Sequence, residues 1–180
     1  RVAPEHLAAA VNDKTAIVSI MFANNEIGTL QQIRELASIA HECGALFHTD
    51  AVQGVGKILV DVQELQIDLL SLSGHKFHGP KGIGALYVRK GTRLPALLHG
   101  GGQQSGLRPG TYPVPGIVGL GKAAELAAAL LADGKEERRQ RELIDRLWRS
   151  MSEAVPGLRR NSPKTDVLPG LLNVCVPAIE

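Results

Sequence analysis

A lysine stands in the middle of SLSGHKFHGPKGIGALYVRK, the stretch from Ser71 to Lys90. Ser73, His75 and His78 surround Lys76, and apolar runs lie on either side of the cluster. An amine in a partly desolvated pocket loses its proton more readily, because burial disfavours the charged form. It can then attack a carbonyl and form a Schiff base. Two further polar residues stand at matched distances. Asn25 follows one apolar run and Asp50 ends another; 25 positions separate Asn25 from Asp50, and 26 separate Asp50 from Lys76. One strand and one crossover fit into each interval. The carboxyl ends of parallel strands share one edge, where ligands bind. The spacing therefore brings Asn25, Asp50 and the Ser73–Lys76 cluster to one crevice.

A lysine, an aspartate and hydroxyl or imidazole donors together are what pyridoxal phosphate requires. The lysine holds its aldehyde, and an acidic group partners its pyridinium nitrogen. In this reading Asp50 keeps the ring protonated, Gln53 donates to the phenolic oxygen, and Ser73 and His75 hold the phosphate. Each residue also has a plainer use. Lys76 alone is an ordinary solvated lysine, Asp50 a helix cap, and Asn25 a turn residue in NNEIG. His48 and His78 read as structural or exposed, and His99 is undecided. GPKGIG lacks the Lys-Ser/Thr ending of a phosphate loop and reads as a tight turn. HGGGQQSGLRPGT, His99 to Thr111, is either an anion-friendly loop or a loop and nothing more.

The elements that would position these groups follow from the apolar patterning. PEHLAAAVN reads as a short helix with Pro4 in its first turn. TAIVSIMFA, Thr15 to Ala23, is a continuous apolar run, the mark of a strand buried on both faces. LQQIRELASIAHECG has helical spacing at Leu30, Ile33, Leu36, Ala37 and Ala40. ALFHTD, DLLSLSG and GALYVRK read as three more strands, with DVQELQI a short helical or turn connection. Strands that alternate with crossovers predict a mostly parallel sheet, an α/β fold. From Gly116 to Ala154 the pattern is helical, with an apolar stripe at Leu143, Ile144, Leu147 and Met151 and a charged face read as solvated. The loop-like VPGLRRNSPKTDVLPG leads to a last strand in LLNVCVP.

Composition sets the outer bounds. The 180 residues are 44% hydrophobic, 21% charged and 3% aromatic, with net charge +2. This is ordinary for a globular chain with an aliphatic core. The charge is too small to call for nucleic acid or a membrane surface, and no apolar run reaches the ~20 residues of a membrane span. Cys43 and Cys175 form no zinc or disulfide pattern, which suggests a reducing, cytoplasmic setting. The chain opens on Arg1 and closes on an apolar run, so an internal fragment is expected.

FANNEIGT, HTDAVQGVGK, SLSGHKFHGPKGIGALYVR and HGGGQQSGLRPGT, in this order, resemble the cysteine desulfurases of the class V aminotransferase superfamily. The likeness runs from about Thr15 to Glu125. NNEIG resembles the branch that serves iron–sulfur cluster assembly and tRNA thiolation. The resemblance implies the fold type I architecture of pyridoxal-phosphate-dependent transferases. Residues 1–115 would be part of the large cofactor-binding domain, 116–155 connecting helices, and 156–180 the truncated start of a small C-terminal domain. It implies that Lys76 is the Schiff-base lysine, that Ser73 and His75 contact the cofactor phosphate, and that Asp50 and Gln53 meet the ring. It implies further that Asn25 faces cofactor and substrate carboxylate, and that Thr111 reaches the phosphate of the other subunit of a homodimer. Gln104 stands where the family usually has glutamate.

The implied reaction removes sulfur from L-cysteine, leaves L-alanine, and passes a persulfide to an acceptor protein such as an iron–sulfur scaffold. The family's sulfur-accepting cysteine, its substrate-carboxylate arginine, its upstream phosphate turn and its ring-stacking residue all fall outside these residues. Neither Cys43 nor Cys175 matches the cysteine loop. The expected parent is roughly twice as long, and the fragment alone is expected to be inactive. Selenocysteine lyase, another class V enzyme and a non-catalytic remnant are the alternatives.

Overall fold

A computed structural model describes residues 1–177 and 179. Its centre is a four-stranded sheet in the order β1 (Ile17–Met21), β2 (Leu46–Asp50), β3 (Leu69–Ser73), β4 (Gly84–Val88). The first three strands are parallel and β4 runs antiparallel to β3. Met21 pairs with Asp50 and Asp50 with Ser71, so the carboxyl ends of three strands form one rim.

Alternation along the strands decides which face is covered. Val18, Phe47 and Leu70 point into one core, with Ile20, Leu72 and Tyr87 packed at its margin. Helix α2 (Ile33–Glu42) closes this face. Its buried residues Ile33, Leu36, Ala37 and Ala40 recur at helical spacing. Each fully buried large side chain contributes about 1.5–3 kcal/mol. The short helix α1 (Pro4–Ala10) begins at a proline whose missing N–H would have no helical partner there. It adds Leu7 to the core.

The opposite face differs from the sequence expectation. Ile17 and Met21 are 46% and 39% exposed, so β1 is buried on one side only. The apolar residues on its second face meet no cover among the described residues. That face also carries a polar ladder. Ser19 Oγ lies 2.7 Å from His48 Nδ1, and Ser71 Oγ lies 2.9 Å from His48 Nε2.

The crossover from β2 to β3 is built of turns, not a helix. Asp61 Oδ1 accepts the N–H groups of Gln63 and Glu64, which folds DVQELQI into a turn. Helices α3 (Val114–Leu131) and α4 (Lys135–Ala154) follow the sheet. Along α4 the expected stripe is only partly covered: Ile144 and Met151 are half-buried, while Leu143 and Leu147 are exposed. Helix α3 corrects a second expectation, because its 18 residues have a mean hydropathy of 1.5, enough to span a membrane by length and composition. It carries Lys122 and Glu125, a pair 2.6 Å apart in the middle of the helix, and ionised groups there are costly in hydrocarbon. It packs on the turn after β3, where a Cβ on Gly74 would sit 3.1 Å from Leu120 Cδ1.

The terminal segment pairs β5 (Arg159–Arg160) with β6 (Val174–Cys175), a shorter strand than LLNVCVP suggested. The segment folds back on the turn after β1. Leu30 N–H donates to Asp166 O and Leu168 N–H to Gly28 O. Gly28 has φ +77°, and a Cβ there would sit 2.9 Å from Val167 Cγ2, so both turn and packing require glycine.

Candidate active site

The rim gathers most of the residues that the sequence singles out. Asp50 ends β2, and its Oδ1 accepts the N–H of Val52 at 2.9 Å. The main chain fixes the carboxylate: Phe22 N–H donates to Asp50 O and Ala51 N–H to Ser71 O. The carboxylate stays exposed, with no partner on its second oxygen among the described residues.

Beside it, β3 runs directly into a single tight turn, Gly74–Phe77. Gly74 N–H donates to Ile83 O and Gly79 N–H to Gly74 O, both at 2.9 Å. Phe77 is buried and anchors the turn, which leaves His75 and Lys76 exposed on its crest. His78 closes it in the left-handed region at φ 67°, a conformation that costs a non-glycine residue some strain. Ser73 Oγ lies 2.9 Å from His75 Nδ1, so hydroxyl and imidazole act as one unit. GPKGIG continues as the tight turn leading to β4.

At the end of β1 the neighbouring asparagine makes the turn. Asn24 Oδ1 accepts the N–H groups of Glu26 and Ile27, each at 2.9 Å. Asn25 is left exposed. Gln53 is half-buried behind Asp50, and its Oε1 accepts from Lys57 Nζ at 2.9 Å.

Thr111 is the candidate that the fold leaves apart. It lies on an exposed loop that curls on itself: Gln104 N–H donates to Tyr112 Oη and Gly110 N–H to Gln103 Oε1. No hydrogen bond among the described residues ties Thr111 to the rim, and His99 is exposed on the same loop. The cysteines also stand away from the rim. Cys43 Sγ donates to Ala40 O within the end of α2, and Cys175 Sγ lies 3.5 Å from a guanidinium nitrogen of Arg159.

A cavity of about 440 Å³ opens beside Lys76, lined by Lys57, His78, Gln140, Ile144 and Leu168. Lys76 lines it, whereas Asp50, Ser73 and Asn25 do not.

Two residues gain importance only in the structure. Lys57 has a lowered affinity for its proton, first from burial and then from the like charge of Lys76. His48 is likewise pushed down by burial, against the opposing pull of Asp50. Strand alternation places His48 on the face of Asp50, two residues away, and could have flagged it. Lys57 gave one signal, a lysine four residues after Gln53.

The donor set fits pyridoxal phosphate. A carboxylate with a free oxygen suits a protonated ring nitrogen, an amide suits a phenolic oxygen, and a hydroxyl–imidazole pair suits a phosphate. An exposed amine beside them suits an aldehyde.

Comparison with known proteins gives a consistent result. The aminotransferase class-V family model matches residues 1–180. The cysteine desulfurase IscS of Methanosarcina thermophila is 51% identical over 179 residues, 99% of this chain and 44% of that protein. A cysteine desulfurase of Gluconacetobacter diazotrophicus is 52% identical over 171 residues, 95% of this chain and 42% of that protein. Among solved structures, a NifS-like protein superposes with TM-score 0.92 at 41% identity, over 99% of this chain and 48% of its own. SspA in complex with cysteine superposes with TM-score 0.81 at 40% identity, over 97% and 48%. The chain thus spans less than half the length of these relatives.

Proposed function

The chain belongs to the aminotransferase class-V family, and from that premise we propose that it is the central part of a pyridoxal-phosphate-dependent cysteine desulfurase. The observation that carries the proposal is the shared rim. Asp50 pairs in register with Ser71, and β3 leads straight into the turn bearing Lys76. The desulfurase names of relatives about half identical to the chain support the same reading.

Pyridoxal phosphate, when bound, supplies an electron-withdrawing ring that stabilises negative charge at the Cα of an amino acid. The chain's own residues have separate tasks. Lys76 Nζ would hold the cofactor's aldehyde carbon and would be the amine that moves the Cα proton of the substrate. Asp50 would keep a positive charge on the ring nitrogen. Gln53 would donate to the phenolic oxygen. Ser73 and His75 would bind the phosphate. Asn25 would face the cofactor and the substrate carboxylate.

The remaining assignments concern the longer protein. Thr111 would reach the phosphate in the partner subunit of a homodimer. Residues 1–115 would belong to the cofactor-binding domain, 116–155 would connect, and 156–180 would begin a small domain. The substrate is L-cysteine, the products are L-alanine and an enzyme-bound persulfide, and the acceptor is a scaffold for iron–sulfur clusters or a tRNA-thiolating protein. A cytoplasmic setting suits this role.

The test uses the full-length protein. Borohydride reduction after loading with pyridoxal phosphate should attach the cofactor to Lys76, seen by peptide mass spectrometry. Cysteine should yield alanine, and Lys76→Ala should abolish both attachment and turnover. Attachment elsewhere, or alanine production by the variant at the native rate, would refute the assignment. The 180 residues alone should show no turnover.

A further inference from the structure

Lys57 has no part in the reading above, yet it decides how Gln53 can be used. Its Nζ lies 2.9 Å from Gln53 Oε1. An ammonium has three donors and no acceptor, so the carboxamide atom facing it must be the oxygen. The NH2 end of Gln53 is then the end left over. No described residue accepts from it.

The surrounding turn holds this arrangement in place. Gly54 and Val55 N–H both donate to Ala51 O, directly after Asp50, and Lys57 N–H donates to Gly54 O. Gly56 has φ +80°, and its backbone presses against Phe77 Cβ so closely that any Cβ at position 56 would collide. Phe77 is the buried anchor of the turn that carries Lys76. The Gln53–Lys57 turn and the Gly74–Phe77 turn are therefore packed as one body. The groups facing Lys57 are Lys76 and His78 from that second turn, Gln53 from its own, and Gln140 from α4.

We propose that Lys57 is a positioning residue that locks the Gln53 carboxamide with its N–H groups toward the rim, so that Gln53 meets an aromatic oxyanion as a donor. The inference rests on the cofactor reading above. A carboxamide free to rotate would offer its oxygen as readily as its nitrogen, and an oxygen facing an oxyanion repels it. With the oxygen engaged by Lys57, only the donor end remains. Lys57 also sets a second positive charge beside Lys76. Burial and the charge of Lys76 in turn loosen the Lys57 proton, consistent with two amines sharing one neighbourhood.

The test is cofactor binding and the pH titration of the bound cofactor's visible absorbance, in the full-length protein. Lys57→Met should weaken pyridoxal phosphate binding about tenfold, the worth of one charge-assisted hydrogen bond. It should also move the absorbance titration to higher pH by roughly one unit, since the Gln53 donor is no longer held toward the oxyanion and a nearby cation is lost. Lys57→Arg, which keeps charge and donors, should restore both readouts. Gln53→Glu tests the same point without touching Lys57. Its side chain has no donor to offer, so it should also weaken binding. Native affinity and titration in Lys57→Met, or native affinity in Gln53→Glu, overturns the proposal. A wild-type protein that attaches no cofactor at Lys76 overturns the cofactor reading as well, which separates the two failures.

Discussion

Two aspartates sit at opposite ends of the same sheet. Asp68 stands at the amino end of β3 and is 8% exposed. Its Oδ2 accepts the Phe47 N–H at 2.8 Å and lies 2.7 Å from His41 Nε2. Arg89 Nε lies 3.5 Å from its other oxygen. Arg89 in turn donates to Val62 O, Ile67 O and Gln63 Oε1, so three chain segments are clamped around one carboxylate. Asp50, at the carboxyl end of β2, is exposed and accepts a single N–H, from Val52. A buried carboxylate must be paired and hydrogen-bonded. Asp68 has spent its capacity on the fold. Asp50 has most of its capacity left for something that is not part of the sheet. The difference shows how one sheet separates holding from acting: one rim is saturated, the other keeps acceptors and donors available.

The sharpest way to break this contrast is to remove each carboxylate in the full-length protein. Asp50→Ala should lower turnover about 10²–10³-fold, the usual loss when one preorganised electrostatic partner of a developing charge is removed. Its unfolding free energy should change by less than about 1 kcal/mol, as expected of an exposed side chain. Steady-state kinetics beside chemical denaturation separate the two effects. An unchanged rate would show that the exposed carboxylate has no chemical part.

Asp68→Ala should do the reverse. Removing one partner of a buried, hydrogen-bonded charge cluster costs about 3–5 kcal/mol, because the Phe47 N–H and His41 Nε2 lose their hydrogen-bond partner and Arg89 loses its counter-charge. Denaturant unfolding should show this loss, while cofactor affinity measured under native conditions stays near that of the unaltered protein. A variant as stable as the original would show that the clamp is ornamental, and the contrast between rims would fail.

Part of this was legible in the sequence. The nearly equal intervals from Asn25 to Asp50 and from Asp50 to Lys76 encode strand-plus-crossover units, so a common rim could be read directly. Alternation within β2 puts His48 on the same face as Asp50. Other features were hidden for physical reasons. Thr15–Ala23 reads as doubly buried because its residues are apolar, but apolarity states a preference and not the presence of a cover. The clamp joins His41, Asp68 and Arg89 from three elements, with no local pattern to announce it. Asn24 and Asn25 are identical in type, and only the turn's hydrogen bonds show which one is engaged. The four-residue spacing of Gln53 and Lys57 is visible in the sequence, but in a non-helical turn that spacing does not by itself imply their contact.

The smallest effect probes the ground between the rims. Thr49, next to Asp50, is fully buried between Phe47 and Ala51 on the core side of β2, and its Oγ1 has no hydrogen-bond partner. A buried hydroxyl without a partner carries a desolvation cost of about 1–3 kcal/mol. Thr49→Val keeps the branched shape and removes that cost. The variant should be more stable by about 1 kcal/mol in denaturant unfolding. Thr49 faces the core and not the rim, so turnover should be unaffected. A loss of stability instead would mean that the hydroxyl is satisfied in solution. The carboxyl-end half of β2 would then be as saturated as the clamp at its other end, and Asp50 alone would carry the distinction.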